Sequence, residues 1–497
     1  MLKKVLAIAP CLFFSSVCLL SDIAVAQTGK ICQLENNIAG ILVDEKYSQA
    51  QWGIAVQDLA RDELVYEYHA DTLFVPASNA KLFTTAAALD ILGTDHQFAM
   101  ESYVLGSAPN LEALVIKGGG DPTLTGDRLT EITSLLAEQG VASIEQVVVD
   151  DSLFTETAIH PTWEWSDLAF YYGSPVNSLI LDENAVVLTL TPGAVGQPAR
   201  IQQPEMGAIA LSQWRINNQL ITSPAGTKYQ GTITQTFGTN ELVVTGQIPA
   251  DANPDIWGLA IPNPAQNFLD QLRYELAQQS INVNRFEVTQ TGFDDYQSMS
   301  ALTILTSPTL PTILNTTNQK SNNLYAESLR HTLGTIEPDM TGAEAIATTL
   351  IDLGVTENSF RIKDGSGLSR HNLASPQSFT QLLDVMADHP NAEIYRNSLA
   401  IAAESGTLTR RFQDTPIAGR FYGKTGTMTN VVTLSGYLDL EGDRTLALSI
   451  LVNQSPQSAS TTRQGIDSIV QSIYHWGENC LGAMPTELDP DTLSKSR

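Results

Sequence analysis

The stretch "VPASNAKLFTTAAAL", Val75 to Leu89, decides how the rest of the chain is read. Leu82, Phe83, Ala86, Ala87, Ala88 and Leu89 suffice for a buried helix, and Ser78 and Lys81 add nothing to such a core. Residues three apart share a helical face, so the Ser78 hydroxyl and the Lys81 amine come within reach of each other. A hydroxyl held against an amine is the geometry of an activated nucleophile. Taken alone, the stretch reads more simply as a helix capped by Ser78 with Lys81 solvated. Other parts of the chain must decide.

The 497 residues are 43% hydrophobic and 16% charged, material for roughly two to four globular domains. A net charge of −27, from 27 basic and 54 acidic residues, repels nucleic acid and anionic lipid headgroups, so neither is an expected partner. Lys3 and Lys4 precede an apolar run from Val5 to Leu20, and Ala24-Val25-Ala26 offers small residues for cleavage before Gln27. Residues 1–26 therefore read as an export signal. The run is broken by Pro10, Ser15 and Ser16 and is short for a membrane span, and no later segment approaches that length. Cys32 and Cys480 remain in the mature chain, either as one disulfide tying its ends or as two separate thiols. No histidine pair or C-x-x-C has metal-ligand spacing, and no metal or organic cofactor is expected.

The order of elements suggests one sheet built from both ends of the chain. "WGIAVQDL" and "ELVYEYHA" read as a hairpin across Ala60-Arg61-Asp62, directly before the opening helix. Far downstream, "GRFYGKTG", "VVTLSGYLDL" and "TLALSILVN" read as three strands, followed by the helical "RQGIDSIVQSIYHW". Two strands and three make an expected five-stranded antiparallel sheet flanked by helices, an α+β domain formed by residues 27–90 and 295–480. Residues 91–294 are rich in strands and Gly/Pro turns and read as a β-rich insertion of two nested subdomains. Residues 481–497 form a polar tail.

Ser78-Asn79-Ala80-Lys81 is the sole S-x-x-K and Lys424-Thr425-Gly426 the sole K-T-G, the latter on a strand. Ser321-Asn322-Asn323 is an S-x-N at the head of a helix; Ser280-Ile281-Asn282 also fits but lacks the helical sequel. Each is commonplace alone. Together, in this order and these settings, they make the set used by serine β-lactamases and penicillin-binding proteins. With "DGSGLSRHN" (Asp364–Asn372), "GGGDPTL" (Gly118–Leu124) and the 243 residues between Ser78 and Ser321, the chain resembles the class C low-molecular-mass penicillin-binding proteins. These are the D-alanyl-D-alanine carboxypeptidase/endopeptidase family.

Residue chemistry gives each group an expected task. Ser78 is the nucleophile. Lys81, desolvated and repelled by Lys424, is its base, there being no histidine inside or beside the three motifs. Ser321 relays the proton to the leaving amine, and Asn323 orients Lys81 and the substrate amide. Lys424, Thr425, Gly426 and Thr427 form the strand that holds a terminal carboxylate. The resemblance implies the backbone N–H groups of Ser78 and Thr427 as oxyanion donors. Arg370 is placed to meet a second carboxylate on a stem peptide, or else is solvated. Trp163 and Trp165 either line the groove or are buried in the insertion.

The resemblance implies a serine D,D-peptidase of the bacterial periplasm, acting on peptidoglycan stem peptides and acylated by β-lactams. Two other functions fit parts of this pattern. A β-lactamase would share the motifs, but no residue is identifiable to position a deacylating water. A catalytically silent envelope-binding scaffold would have no reason to keep Ser78, Lys81, Ser321, Asn323 and Lys424 together.

Overall fold

A computed structural model describes residues 33–481 apart from 203–206, 294–295 and 338. The export signal, Cys32 and the tail beyond residue 481 lie outside the described residues.

The principal elements begin with helix α1 (Leu34–Leu42), strands β1 (Gln51–Asp58) and β2 (Glu63–Tyr68), and helix α2 (Ala80–Leu92). The chain then enters the insertion through β3 (Ala99–Ser107), β4 (Asn110–Lys117), α3 (Gly126–Glu138) and β5 (Ser143–Asp150). After a run of short strands between Ala185 and Ala260 come α4 (Pro264–Gln278), β6 (Asn282–Thr289) and β7 (Ser300–Thr306). The return runs through α5 (Leu310–Gln319), α6 (Asn323–Ile336), α7 (Gly342–Leu353), α8 (Pro376–Ala387) and β8 (Ala400–Ile401). Strands β9 (Phe421–Met428), β10 (Val431–Asp439) and β11 (Thr445–Asn453) and helix α9 (Ala459–Cys480) complete it.

The main sheet has the order β8-β9-β10-β11-β1-β2, antiparallel throughout. It contains the five expected strands plus β8, whose two residues pair with Gly423 and Tyr422. Strands β10 and β11 are buried along nearly their whole length because helices cover both faces. Successive side chains on a strand point to opposite sides. Ala447 and Leu451 accordingly join a core with α2 and α5 to α8, while Leu446, Leu448, Ile450 and Val452 join α1 and α9.

The insertion carries a mixed sheet of order β6-β5-β4-β3-β7, with β4–β5 and β5–β6 parallel. Parallel neighbours need crossovers, and α3 and α4 supply them, burying Leu129, Ile132, Leu136, Phe268, Leu272 and Leu276 on the sheet. The insertion is thus β-rich but not all β. Because β7 pairs with β3, its sheet also runs past residue 294, where the strand pattern alone ends it. The short strands enclose a separate core around Leu188, Leu190, Trp214, Leu242 and Leu259.

Candidate active site

Ser78 sits in a 3-10 turn, Ala77–Asn79, that leads into α2, and the residue at the helix N-cap, Asn79, makes no side-chain capping bond. The capping explanation for Ser78 therefore has no bond behind it. Ala77 has φ +48°, a left-handed conformation that a residue with a side chain adopts only under constraint. The constraint comes from the main sheet. Asn453 on β11 grips Val75, accepting from its N–H at 2.8 Å and donating to its carbonyl at 3.0 Å. Thr433 Oγ1 donates to the Pro76 carbonyl at 2.9 Å, and Asn79 Nδ2 donates to Ser435 Oγ at 2.7 Å. The close approach requires glycine at 426, since a Cβ there would lie 2.1 Å from Thr433 Oγ1.

Lys81, one turn on, is fully buried. Its Nζ lies 3.1 Å from Ser78 Oγ and donates to Asn323 Oδ1 and to the Ser366 carbonyl, both at 2.6 Å. A neutral amine has two N–H donors and one lone pair. Two acceptors take the donors, and the lone pair is left for Ser78. Burial drives the Lys81 pKa down to about 7, against the upward pull of Asp364 and Glu327. Lys424 is held well below the usual lysine range by burial first and by the Lys81 charge second. Burial, the first cause expected from the sequence, is the main cause at both lysines, and the repulsion between the two amines adds to it at Lys424.

The Ser366 carbonyl is held in place by a loop organised around buried carboxylates. Asp364 accepts from the backbone N–H of Gly367 at 2.8 Å and of Ser369 at 2.6 Å, from Asn372 Nδ2 at 2.6 Å and from Trp163 Nε1 at 2.8 Å. Glu327 accepts from the Ser366 N–H at 2.8 Å and Arg330 Nε at 2.7 Å. Burial works to raise the Glu327 pKa, but Arg330 and these hydrogen bonds outweigh it and bring it to about 2. Gly367, at φ +82°, admits no side chain, because a Cβ would lie 1.9 Å from the Ala77 carbonyl oxygen.

Ser321 is also left-handed, at φ +58°, and Lys424 Nζ donates to its Oγ at 2.8 Å. The cap of α6 is neither Ser321 nor Asn323 but Asn322, whose Oδ1 accepts from the Tyr325 N–H at 3.2 Å. The insertion closes over this corner: Asn323 Nδ2 donates to the Tyr172 carbonyl and Asn322 Nδ2 to Glu183 Oε2, both at 2.7 Å.

Ser78, Ser321 and Thr427 line both lobes of one cleft. The smaller lobe, about 340 Å³, is bounded by Glu164, Tyr171, Tyr172, Asn323, Leu368 and Arg370. Arg370 is neither buried nor free, since its Nε meets Glu164 Oε1 at 2.9 Å and its guanidinium reaches the Thr429 carbonyl. Trp163 is buried against Asp364, whereas Trp165 is exposed and packs on Phe237 with ring centroids 4.7 Å apart. The larger lobe, about 890 Å³, is bounded by Thr407, Thr409, Thr425, Arg410, Arg463 and Gln464. Arg463 Nη2 donates to Thr427 Oγ1 at 3.1 Å. Neither arginine belongs to a motif, and the Ser366 carbonyl is a backbone group, so sequence reading missed all three. Cys480 is disulfide-bonded. Among the described residues no group of acidic, His or Cys side chains is arranged to hold a metal ion.

The model of the D-Ala-D-Ala carboxypeptidase 3 (S13) family matches residues 34–473. A D-alanyl-D-alanine carboxypeptidase of Actinomadura sp. (strain R39) is 33% identical over 457 residues, 87% of this chain and 83% of its own. The D-alanyl-D-alanine carboxypeptidase DacB of Haemophilus influenzae is 24% identical over 400 residues, 78% of this chain and 82% of its own. The crystal structure of penicillin binding protein 4 from Haemophilus influenzae superposes with a TM-score of 0.78 at 22% identity, covering 88% of this chain and 98% of that one. That likeness establishes the fold.

Proposed function

The chain belongs to the D-Ala-D-Ala carboxypeptidase 3 (S13) family, and from that premise we propose how its buried lysine drives a serine D,D-peptidase reaction. The enzyme is a serine-type D-Ala-D-Ala hydrolase that binds penicillin. The observation that carries the mechanism is Lys81: a fully buried amine with both donors taken and Ser78 Oγ at 3.1 Å.

Neutral Lys81 accepts the Ser78 proton as Oγ attacks the carbonyl of the penultimate D-alanine. The backbone N–H groups of Ser78 and Thr427 receive the oxyanion. Collapse breaks the amide bond, and the proton passes through Ser321 to the leaving amine. Lys424, donating to Ser321 Oγ at 2.8 Å, holds that hydroxyl in position. Lys81 then takes a proton from water, which hydrolyses the ester on Ser78 and restores the free serine. Lys424, Thr425 and Thr427 hold the carboxylate of the leaving residue. A cation–anion pair, Arg370 with Glu164, stands in the other lobe, suited to a substrate arm that itself carries an amine and a carboxylate. Peptidoglycan stem peptides have these features, and a β-lactam mimics their D-Ala-D-Ala end. Export by residues 1–26 would deliver the enzyme to the cell envelope. Among the described residues no helix is long and apolar enough to cross a membrane.

Incubation with a labelled penicillin, followed by peptide mass mapping, tests the proposal. A stable adduct on Ser78, absent from Ser78→Ala, is the expected result. Rapid turnover of the drug without an adduct would instead make the protein a β-lactamase, and an inert protein would make it a scaffold.

A further inference from the structure

The larger lobe is out of proportion to the product that a carboxypeptidase releases. Thr425 and Thr427, on the strand proposed to hold the carboxylate of the leaving residue, face this lobe, so the leaving group occupies it. At about 890 Å³ it reaches the range that accommodates a whole small-molecule ligand, several times what one alanine fills.

Its charge is also unexpected. In a chain of net charge −27, the lobe gathers Arg410, Arg411 and Arg463 against a single acid, Asp467. Arg411 and Asp467 neutralise each other in a direct ion pair. Arg410 and Arg463 have no ion-pair partner among the described residues. Arg463 stands beside the strand through Thr427 and so adjoins the first carboxylate; Arg410 is left for something further out. Ser460, Arg463 and Gln464 come from the opening turns of α9, a helix of 22 residues, so its positive N-terminal end adds to the same field.

We propose that Arg410 and Arg463 form a leaving-group subsite for a residue bearing a second carboxylate, so that cross-bridge cleavage is preferred to release of D-alanine. The inference rests on the proposed D,D-peptidase reaction and adds its specificity. In a cross-bridge the departing amine belongs to a diamino acid residue, whose neighbouring carboxylate is the first and whose acidic peptide carries a second. Such a group offers one carboxylate to Lys424 and Thr427 and another to Arg410. D-Alanine offers only the first.

The test uses two substrates with the same diacetyl-L-lysyl-D-alanyl arm, one ending in D-alanine and the other in a D-2-amino diacid such as D-2-aminopimelate. The native enzyme is expected to show the higher kcat/KM on the diacid. Arg410→Gln should lower that value about tenfold, the loss of one charge-assisted hydrogen bond, while D-alanine release and penicillin acylation of Ser78 change less than about twofold. Arg410→Lys should recover part of the loss. Equal effects of Arg410→Gln on both substrates, or none on either, would overturn the subsite. Failure of the native enzyme to be acylated by penicillin would instead sink the underlying reaction. The unchanged acylation of Arg410→Gln serves as the check that the variant folds.

Discussion

Asn323→Asp is the substitution that tests the proposed base most directly. Asn323 Oδ1 lies 2.6 Å from Lys81 Nζ, so the change places a half-buried carboxylate in contact with the amine. An opposite charge at that distance favours the charged form and raises an amine pKa by about 1–3. Starting from about 7, the Lys81 pKa moves to about 8–10. The neutral amine is the active form, so the acid limb of acylation moves to higher pH by the same amount. At pH 7 the neutral fraction falls from about one half to between about a tenth and a thousandth, a loss of about 5- to 500-fold in rate. By pH 10 about half or more of the amine is neutral again, and the rate should return accordingly. The variant also loses the amide N–H that Asn323 gives the Tyr172 carbonyl at 2.7 Å, but that cost does not depend on pH. The assay is the second-order rate of acylation by a fluorescent penicillin from pH 5 to pH 10, on native enzyme and variant. A native limb far from pH 7, or a variant slowed equally at every pH, would refute Lys81 as the titrating base.

Glu327→Gln should move the same limb the other way, below pH 7, because Glu327 is one of the two anions holding the Lys81 pKa up. It should also destabilise the protein by about 1.5–3 kcal/mol in urea unfolding, since Arg330 loses one buried charge-assisted partner but keeps Glu156. In the native enzyme the Glu327 pKa falls from 4.5 to about 2 on folding. Its contribution is therefore complete above pH 4.5 and lost as pH falls through 2, and Glu327→Gln should flatten the acid end of the stability profile. Lys81→Met tests a slope of the same sign in a higher pH window. Its folded pKa is lowered from 10.5 to about 7, so between those values the unfolded chain binds the extra proton and native stability rises with pH. Relative to the methionine variant, the native enzyme should gain about 1.4 kcal/mol per pH unit from pH 7 to 9.5 in paired urea titrations. Gly367→Ala should slow penicillin acylation about 100-fold with little change in circular dichroism, because its Cβ would push on the Ala77 carbonyl and displace the turn carrying Ser78.

The parts of the site legible in the sequence are those whose chemistry needs a side chain at fixed local spacing. Ser78 and Lys81 are one turn apart, Ser321 and Asn323 head a helix, and Lys424 to Thr427 lie on one strand. The same holds for the strands: "VVTLSGYLDL" and "TLALSILVN" are legible because both their faces are buried. Strand β8 was not, because two residues show no period. Helices α3 and α4 were masked by the turn-rich text around them, although the crossovers of a parallel sheet require helices of this kind. The Ser366 carbonyl is backbone, and its orientation is set by carboxylates 2 and 39 positions away in sequence. Arg410 and Arg463 come from a loop and a helix that meet only once the sheet has formed.

On the proposed mechanism the insertion also has a part in the chemistry. The groups that touch Lys81 lie outside the insertion, but several are held by it: the Tyr172 carbonyl accepts from Asn323, Trp163 donates to Asp364, and Glu156 pairs with Arg330 behind Glu327. Burial alone would drive the Lys81 pKa below the value it has; Asp364 and Glu327 pull it back up to about 7. A general base works best when its pKa lies near the working pH. Of the two anions that set this balance, the insertion holds Asp364 directly through Trp163 and Glu327 at one remove, through the Glu156–Arg330 pair. On the proposed mechanism it is a wall of the site that tunes the base, whatever else its outer surface binds.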